Sequence, residues 1–166
     1  FMDKFSEVYA VCRFGDDLGF KTSTLISTSD IKNNIIPQYK RVVNLVHSYE
    51  KPFLLHSCGN IFGVMEKKKK KADIDAKHSN EDEIAPFSTW IDKYGDRIGN
   101  FGGVDTDILC RRSEKEIKEI TSEVIDYSIN VGGFALGSGN SIPEFVPVSG
   151  YLAMIEAARE KRGSNS

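Results

Sequence analysis

Short apolar segments alternate with longer segments of helical periodicity five times along the 166 residues of the chain. The apolar segments are nearly continuous, which is typical of strands that are buried on both faces of a parallel sheet. This pattern predicts an α/β fold in which helices cover the sheet. The five predicted strands span residues 7–13, 53–55, 74–77, 99–104 and 134–137.

The number of βα units limits the architecture that the chain can form. A closed (β/α)8 barrel takes eight units and roughly 250 residues, and its active site lies in the loops after the strands. The candidate site residues considered below lie at or shortly after the ends of predicted strands. We therefore predict the C-terminal part of a TIM barrel, with about five βα units. It would form one domain over residues 1–163, followed by a frayed tail at 164–166.

Capping residues and proline indicate where the helices begin. Ser29-Asp30 is expected to cap a long helix that Pro37 kinks or restarts. Ser113 with Glu116 three residues later fits a capping box.

A further helix is predicted over residues 61–66. It leads into five consecutive lysines, Lys67–Lys71, which are expected to be a solvated helix end or a disordered patch.

The composition argues against several classes of partner. A net charge of −2 with 28% charged residues offers no basic surface, so neither nucleic acid nor a membrane is expected as a partner. No apolar run approaches the ~20 residues that a membrane-spanning helix needs. Three widely separated cysteines argue against a disulfide framework and for a reducing compartment, so we expect a cytoplasmic protein.

His56 and Cys58 end the apolar run that begins at Pro52. Residues two positions apart in an extended chain point to the same face, so the imidazole and the thiol leave the strand together. The pair predicts a metal site at the rim of the sheet. The alternative is a histidine bonded to a carbonyl group beside a buried, inert cysteine.

Two ligands are too few for a metal ion, and other strand ends supply candidates to complete the site. His78, Glu81 and Asp105 each lie at the end of a predicted strand or shortly after it. The adjacent carboxylates Asp16 and Asp17 are predicted either to bind substrate or to form a turn and cap a helix. Loop capping is also the alternative role for Asp105.

Five polar segments lie at or near the ends of predicted strands and helices in a fixed order. They are Gly15-Asp16-Asp17-Leu18-Gly19, His56-Ser57-Cys58-Gly59-Asn60, Tyr94-Gly95-Asp96-Arg97, Gly102-Gly103-Val104-Asp105 and Leu136-Gly137-Ser138-Gly139-Asn140-Ser141-Ile142-Pro143. In this order they resemble the C-terminal half of the uroporphyrinogen decarboxylase superfamily. That superfamily includes tetrapyrrole decarboxylases and zinc- and corrinoid-dependent methyltransferases.

The resemblance implies a (β/α)8 barrel whose N-terminal strands are absent from this chain. In the methyltransferase branch a His-x-Cys pair binds zinc, and His56 and Cys58 match that pair. The third zinc ligand of that branch, a further cysteine in the loop after the last strand, falls at Ser138, where the decarboxylase branch usually has a histidine. The predicted metal ligands are therefore His56 and Cys58 with His78 and Glu81.

The remaining predicted site residues are grouped by role. Asp17, Ser138 and Asp105 are predicted to be catalytic. A glycine-rich loop after the last strand is predicted to bind the cofactor through Gly137, Gly139 and Asn140.

The function favoured by the resemblance is zinc-dependent transfer of a methyl group between a corrinoid, or a methylated small molecule, and a thiol. A corrinoid protein would then be a partner. The alternative is decarboxylation of a tetrapyrrole such as uroporphyrinogen in porphyrin biosynthesis. Asp16 or Asp17 would then bind pyrrole nitrogens and Arg13 an acetate side chain.

A third alternative is an inactive half-barrel that acts as a subunit or remnant. An open parallel sheet exposes apolar edges. We therefore expect a homo-oligomer, or pairing with a missing N-terminal half.

Overall fold

The computed structural model describes residues 2–65 and 73–164, so the lysine run Lys67–Lys71 and the last two residues lie outside it. The described residues form five strands, and described helices lie between consecutive strands except between the second and the third. The strands are β1 Cys12–Gly15, β2 Phe53–His56, β3 Ala76–His78, β4 Gly99–Val104 and β5 Phe134–Ser138. The helices are α1 Met2–Phe5, α2 Thr28–Asp30, α3 Ile36–His47, α4 Phe87–Tyr94, α5 Thr106–Arg111, α6 Glu114–Ser128 and α7 Val148–Ser164.

The chain divides into two compact units, residues 1–78 and residues 79–166. The first unit contains β1, β2 and β3 in that order, and the second contains β4 beside β5. The pairings β1–β2, β2–β3 and β4–β5 are all parallel, as the sequence predicted. Among the described residues, no helix combines the length and the apolar character needed to cross a membrane.

In the first unit the central strand β2 is buried along its whole length. Its side chains are apolar until the last residue, so burial favours every position except His56. The register pairs Gly15 of β1 with His56, and His56 with His78 of β3. The two histidines therefore lie side by side at the carboxyl end of the sheet.

Helix α3 covers this part of the sheet. Its buried residues Ile36, Tyr39, Val43 and Val46 are spaced by three or four positions and form one helical face. The Tyr39 ring contacts the Phe14 ring edge-on, with centroids 5.7 Å apart. Pro37 stands in the first turn of α3, after a π-helical turn at Ile31–Ile35, so the predicted restart at this proline is confirmed.

The second unit is built on β4 and β5, which pair over five residues from Asn100↔Phe134 to Val104↔Ser138. The predicted capping box is present, because Ser113 and Glu116 exchange hydrogen bonds with each other's backbone at the start of α6. Helices α5, α6 and α7 pack on the end of β4. The buried cluster consists of Val104, Leu109, Ile117, Val146, Ala153 and Met154.

Several element boundaries differ from the sequence prediction. The first strand begins at Cys12 rather than at residue 7, because it pairs with β2, whose four residues set its length. The segment 61–65 forms turns instead of the predicted helix. Helix α5 was not predicted, because its capping residue Asp105 was interpreted as a site residue. Helix α7 extends to Ser164, the first residue of the predicted tail.

Candidate metal centre

The loops that follow β1 and β2 run beside each other in matching register. Gly15 pairs with His56, so Asp17 and Cys58 each lie two residues beyond a paired position. The Cys58 amide donates a hydrogen bond to Asp17 Oδ1 over 3.0 Å, and the Leu18 amide donates to Ser57 Oγ over 3.2 Å. The register of the strands thus places an aspartate opposite the His-x-Cys pair.

Asp17, His56 and Cys58 bring three different metal-binding atoms together. A carboxylate oxygen, an imidazole nitrogen and the thiol sulfur all lie within 4.8 Å of one another. His56 Nε2 is 3.6 Å from Cys58 Sγ. Zinc bonded to nitrogen and sulfur at 2.0–2.3 Å in a tetrahedron separates those two atoms by about 3.5 Å. The nitrogen–sulfur pair is therefore already spaced as a zinc site requires.

Glycine holds the two loops in contact. Gly59 has a φ of +84°, and a Cβ atom added there would lie 2.1 Å from the carbonyl carbon of Gly19. The Asn60 amide donates to the Phe20 carbonyl over 2.8 Å. Only a residue without a side chain fits this close approach of two backbones. The donors on either side, Asp17 and Cys58, are held on loops that are bonded to each other.

The electrostatic setting favours the forms of these residues that bind a metal. Burial lowers the pKa of the His56 imidazole, and the neighbouring His78 and Arg13 lower it further. The hydrogen bond from the Cys58 amide lowers the pKa of the Asp17 carboxyl group. A neutral imidazole and an ionised carboxylate are the ligating states.

The two adjacent aspartates have different environments. Asp16 Oδ2 accepts a hydrogen bond from the Tyr39 hydroxyl over 2.6 Å, which ties the loop to α3. Burial and this contact raise the pKa of Tyr39. Asp17 is exposed and faces His56 and Cys58 instead. Of the two aspartates, only Asp17 is placed to share a bound ligand with His56 and Cys58.

His78, predicted as a metal ligand, lies against the far side of the His56 ring. The two Nδ1 atoms are 2.7 Å apart, and the ring centroids are 4.8 Å apart. His78 is not part of the three-donor cluster found among the described residues.

In the second unit, both carboxylate oxygens of Asp105 accept backbone hydrogen bonds. Oδ1 accepts from Asp107 N over 2.8 Å and Oδ2 from Asp82 N over 2.7 Å, which caps α5. These bonds match the capping role that the sequence left open for Asp105. Glu81, also in this unit, begins a turn through its carbonyl group, which accepts from Ile84 and Ala85. The catalytic role of Asp105 and the metal-binding role of Glu81 stay predictions.

The glycine-rich loop after β5 packs around one buried side chain that the sequence analysis did not single out. Asn80, 4% exposed, accepts a hydrogen bond from Gly103 N at Oδ1, and its backbone N–H donates to the Gly139 carbonyl. A Cβ on Gly139 would lie 2.3 Å from the Asn80 carbonyl oxygen. The absence of a side chain at Gly139 therefore makes room for Asn80.

The other residues of that loop are bonded locally. The Ser138 hydroxyl donates to the Asn140 carbonyl over 2.6 Å, and Asn140 Oδ1 accepts from Ser141 N over 2.8 Å. A Cβ on Gly137 would make only an ordinary contact with Gly102. The catalytic role of Ser138 and the cofactor-binding roles of Gly137, Gly139 and Asn140 stay predictions.

Asp17 was not grouped with the candidate metal ligands in the sequence, because its carboxylate was assigned to catalysis and the third ligand was sought after later strands. A signal was present in the sequence. Asp17 follows the end of the first strand as Cys58 follows the end of the second. Neighbouring parallel strands end at the same edge, so equal offsets place side chains opposite each other.

Comparisons with known proteins identify the fold and a family. The family model described as Uroporphyrinogen decarboxylase (URO-D) matches residues 3–161. No curated protein matches the chain. A solved structure of a methyltransferase from Methanosarcina mazei is similar, with a TM-score of 0.71 and 19% sequence identity. The match covers 93% of this chain and 43% of that one. The predicted fold class, part of a (β/α)8 barrel, is confirmed.

Proposed function

The chain belongs to the uroporphyrinogen decarboxylase family, and from this premise we propose that it serves metal-dependent methyl transfer to a thiol. Zinc would be held by Asp17, His56 and Cys58, and the methyl donor would be a corrinoid or a methylated small molecule. The chain spans 43% of the similar methyltransferase, so the activity is proposed for the chain together with whatever completes the barrel.

The observation that carries the proposal is the clustering of three unlike donors within 4.8 Å. Three protein ligands with one position left for substrate are typical of catalytic zinc sites, whereas structural sites use four. Asp17 is exposed and Cys58 half-buried, so a small substrate can reach the open side of the cluster.

The charge of the donor set supports zinc in the absence of a second cysteine ligand. A Cys58 thiolate and an Asp17 carboxylate carry two negative charges, and His56 is neutral. This equals the charge of the His-Cys-Cys set implied by the family resemblance, and it balances one divalent cation. Asp17 would thus supply the negative charge that Ser138 cannot.

Each residue has a separate part in the proposed chemistry. Bound zinc would lower the pKa of a substrate thiol so that the nucleophilic thiolate forms at neutral pH. His56 and Cys58 would fix the position at which that thiol binds. Asp17, the ligand most accessible to solvent, would set the direction from which the methyl donor approaches.

The test is the zinc content of the purified chain and of three variants. We expect close to one zinc per wild-type chain. In Cys58→Ser and Asp17→Asn the affinity for zinc should fall at least about 100-fold, since even loss of an outer partner costs about 10–100-fold. Cys110→Ser is the matched control, because that thiol belongs to α5 in the second unit.

An activity assay would follow with methylcobalamin as donor and a small alkyl thiol as acceptor, with the partner chain present once it is known. Wild-type protein without near-stoichiometric zinc would overturn the proposal. The metal-free decarboxylase and inactive half-barrel hypotheses would then be favoured.

A further inference from the structure

We propose that His78 is a positioning residue that fixes the tautomer of His56, so that Nε2 of His56 presents its lone pair toward Asp17 and Cys58. This inference rests on the proposed function, because it concerns the same metal centre. It assigns His78 a role different from the ligand role predicted from the sequence.

The first argument is the contact between the two rings. Their Nδ1 atoms are 2.7 Å apart, which is hydrogen-bond distance, and the rings are tilted by 44°. Two neutral imidazoles can share only one hydrogen in such a contact, so one Nδ1 donates and the other accepts.

The direction of this hydrogen bond decides whether His56 can bind a metal. When His56 donates from Nδ1, its Nε2 carries a lone pair, and Nε2 is the atom 3.6 Å from Cys58 Sγ. When His56 accepts at Nδ1, its Nε2 carries hydrogen and cannot be a ligand. Metal-ligating histidines usually donate their other nitrogen to a carboxylate, a carbonyl or water. Here His78 Nδ1 takes that place.

The second argument is that the fold holds His78 in position. It is paired with His56 in the β2–β3 register, and its carbonyl accepts a hydrogen bond from Ser57 N over 2.7 Å. On the other side of His56 the paired residue is Gly15, which has no side chain to compete. The sheet therefore offers His56 a single side-chain neighbour in register.

A neutral acceptor also has an electrostatic consequence. A carboxylate in the place of His78 would add a third negative charge beside the two of Asp17 and Cys58. An imidazole accepts the hydrogen bond without adding charge. With His78 neutral, the two negative charges of Asp17 and Cys58 still match the two positive charges of one divalent cation.

Two variants at position 78 separate positioning from other roles. His78→Phe keeps a ring of similar size but removes the acceptor, whereas His78→Asn keeps an acceptor near the place of Nδ1. Zinc affinity, measured by competition with a chelator, should fall about 10–100-fold in His78→Phe. It should stay within about 3-fold of wild type in His78→Asn. If His78 were itself a ligand, both variants would lose affinity alike, and the inference would be overturned.

A second readout does not depend on metal at all. Nitrogen-15 NMR of the zinc-free wild-type protein should show His56 with hydrogen on Nδ1, and in His78→Phe the population should shift toward hydrogen on Nε2. Finding His56 protonated on Nε2 in the wild type would overturn the inference, whether or not His78→Phe folds. Wild-type protein that shows the Nδ1–H tautomer but binds no zinc would contradict the proposed function and support the positioning role.

Discussion

Asp16 and Asp17 show how two identical neighbours come to have different chemistry. Tyr39 binds Asp16 from α3, while the Cys58 amide binds Asp17 from the loop after β2. Neither partner is close in sequence, since they lie 23 and 41 residues away. The carboxylate pair could be predicted as a functional feature, but its division of roles depends on which strand lies next to β1.

Asp82 is the residue whose titration should be visible in the stability of the protein. Partial burial of its carboxyl group and the nearby Asp105 raise the pKa of Asp82 to about 6, against an ordinary value near 3.8. The folded state then binds more protons than the unfolded state between those two values. The contribution of this group to the free energy of unfolding therefore falls as pH rises through that window.

Asp82→Asn should remove this dependence. We expect the variant to gain stability relative to wild type between pH 4.5 and pH 7.5. The gain should be less than about 1 kcal/mol, because the carboxyl group is only partly buried and the surface of the residue that stays open to solvent screens its charge. Urea unfolding at the two pH values measures it, with the exposed Asp96→Asn as control. An equal difference between wild type and Asp82→Asn at both pH values would contradict the assignment.

At the scale of elements, the loops after β1 and β2 form one structural piece because Gly19 and Gly59 let their backbones touch. Gly59→Ala should destabilise the protein by at least about 2 kcal/mol. A non-glycine residue at this φ costs about 1–3 kcal/mol before any clash is counted, and the added Cβ would meet backbone. Urea unfolding measures the change.

Gly15→Ala is the matched control for that substitution. Gly15 lies in β1, where a Cβ would meet no atom within 4 Å and φ is not positive. We expect a change within about 0.5 kcal/mol, as for substitutions away from special features. Comparable losses in the two variants would show that the contact between the loops is not what stabilises them.

Some helices, strands and caps could be predicted from local sequence patterns, and others could not. Strand β4 and the capping box at Ser113 follow from local patterns, and both were placed correctly. The start of β1 depends on its pairing with β2. The turns at 61–65 follow Asn60, whose amide donates a hydrogen bond to the distant Phe20 carbonyl. Helix α5 carried a local signal in Asp105, but a helix cap and a catalytic carboxylate look alike in a single sequence.

At the scale of the whole molecule, the ordered motifs were enough to predict the family, because its characteristic residues lie in loops after strands. The third metal donor could not be predicted in the same way, since the resemblance pointed to the loop after the last strand. The structure brings Asp17 to the pair instead. Asp17 lies beside His56 and Cys58 because β1 pairs with β2, and the order of the motifs alone does not specify that pairing.

The second unit carries features of an incomplete surface. Every residue of β5 is only partly buried, and among the described residues β5 pairs only with β4. Phe145 and Val148 are each 73% exposed, and Leu152 is 48% exposed. Exposed apolar side chains and an open strand edge are both typical of a surface that another chain covers.

We therefore predict that the purified 18.5 kDa chain, with no other chain present, associates with itself. Light scattering after size exclusion should show a species larger than the monomer. Phe145→Glu combined with Val148→Glu should shift it toward monomer without loss of fold, because both side chains are exposed. Lys115→Glu, at an exposed position of α6, is the control. A wild-type monomer at high concentration would contradict the prediction.

The position of the donors has a consequence for the chain as a polymer. Asp17 and Cys58 lie 41 residues apart, so a metal ion held by both would act as a cross-link that closes a loop of that length. The chain-entropy model assigns a covalent link of this span about 4 kcal/mol of stabilisation, taken from the unfolded state. All three donors and His78 belong to residues 1–78. Metal would therefore restrict the unfolded ensemble within that segment of the chain.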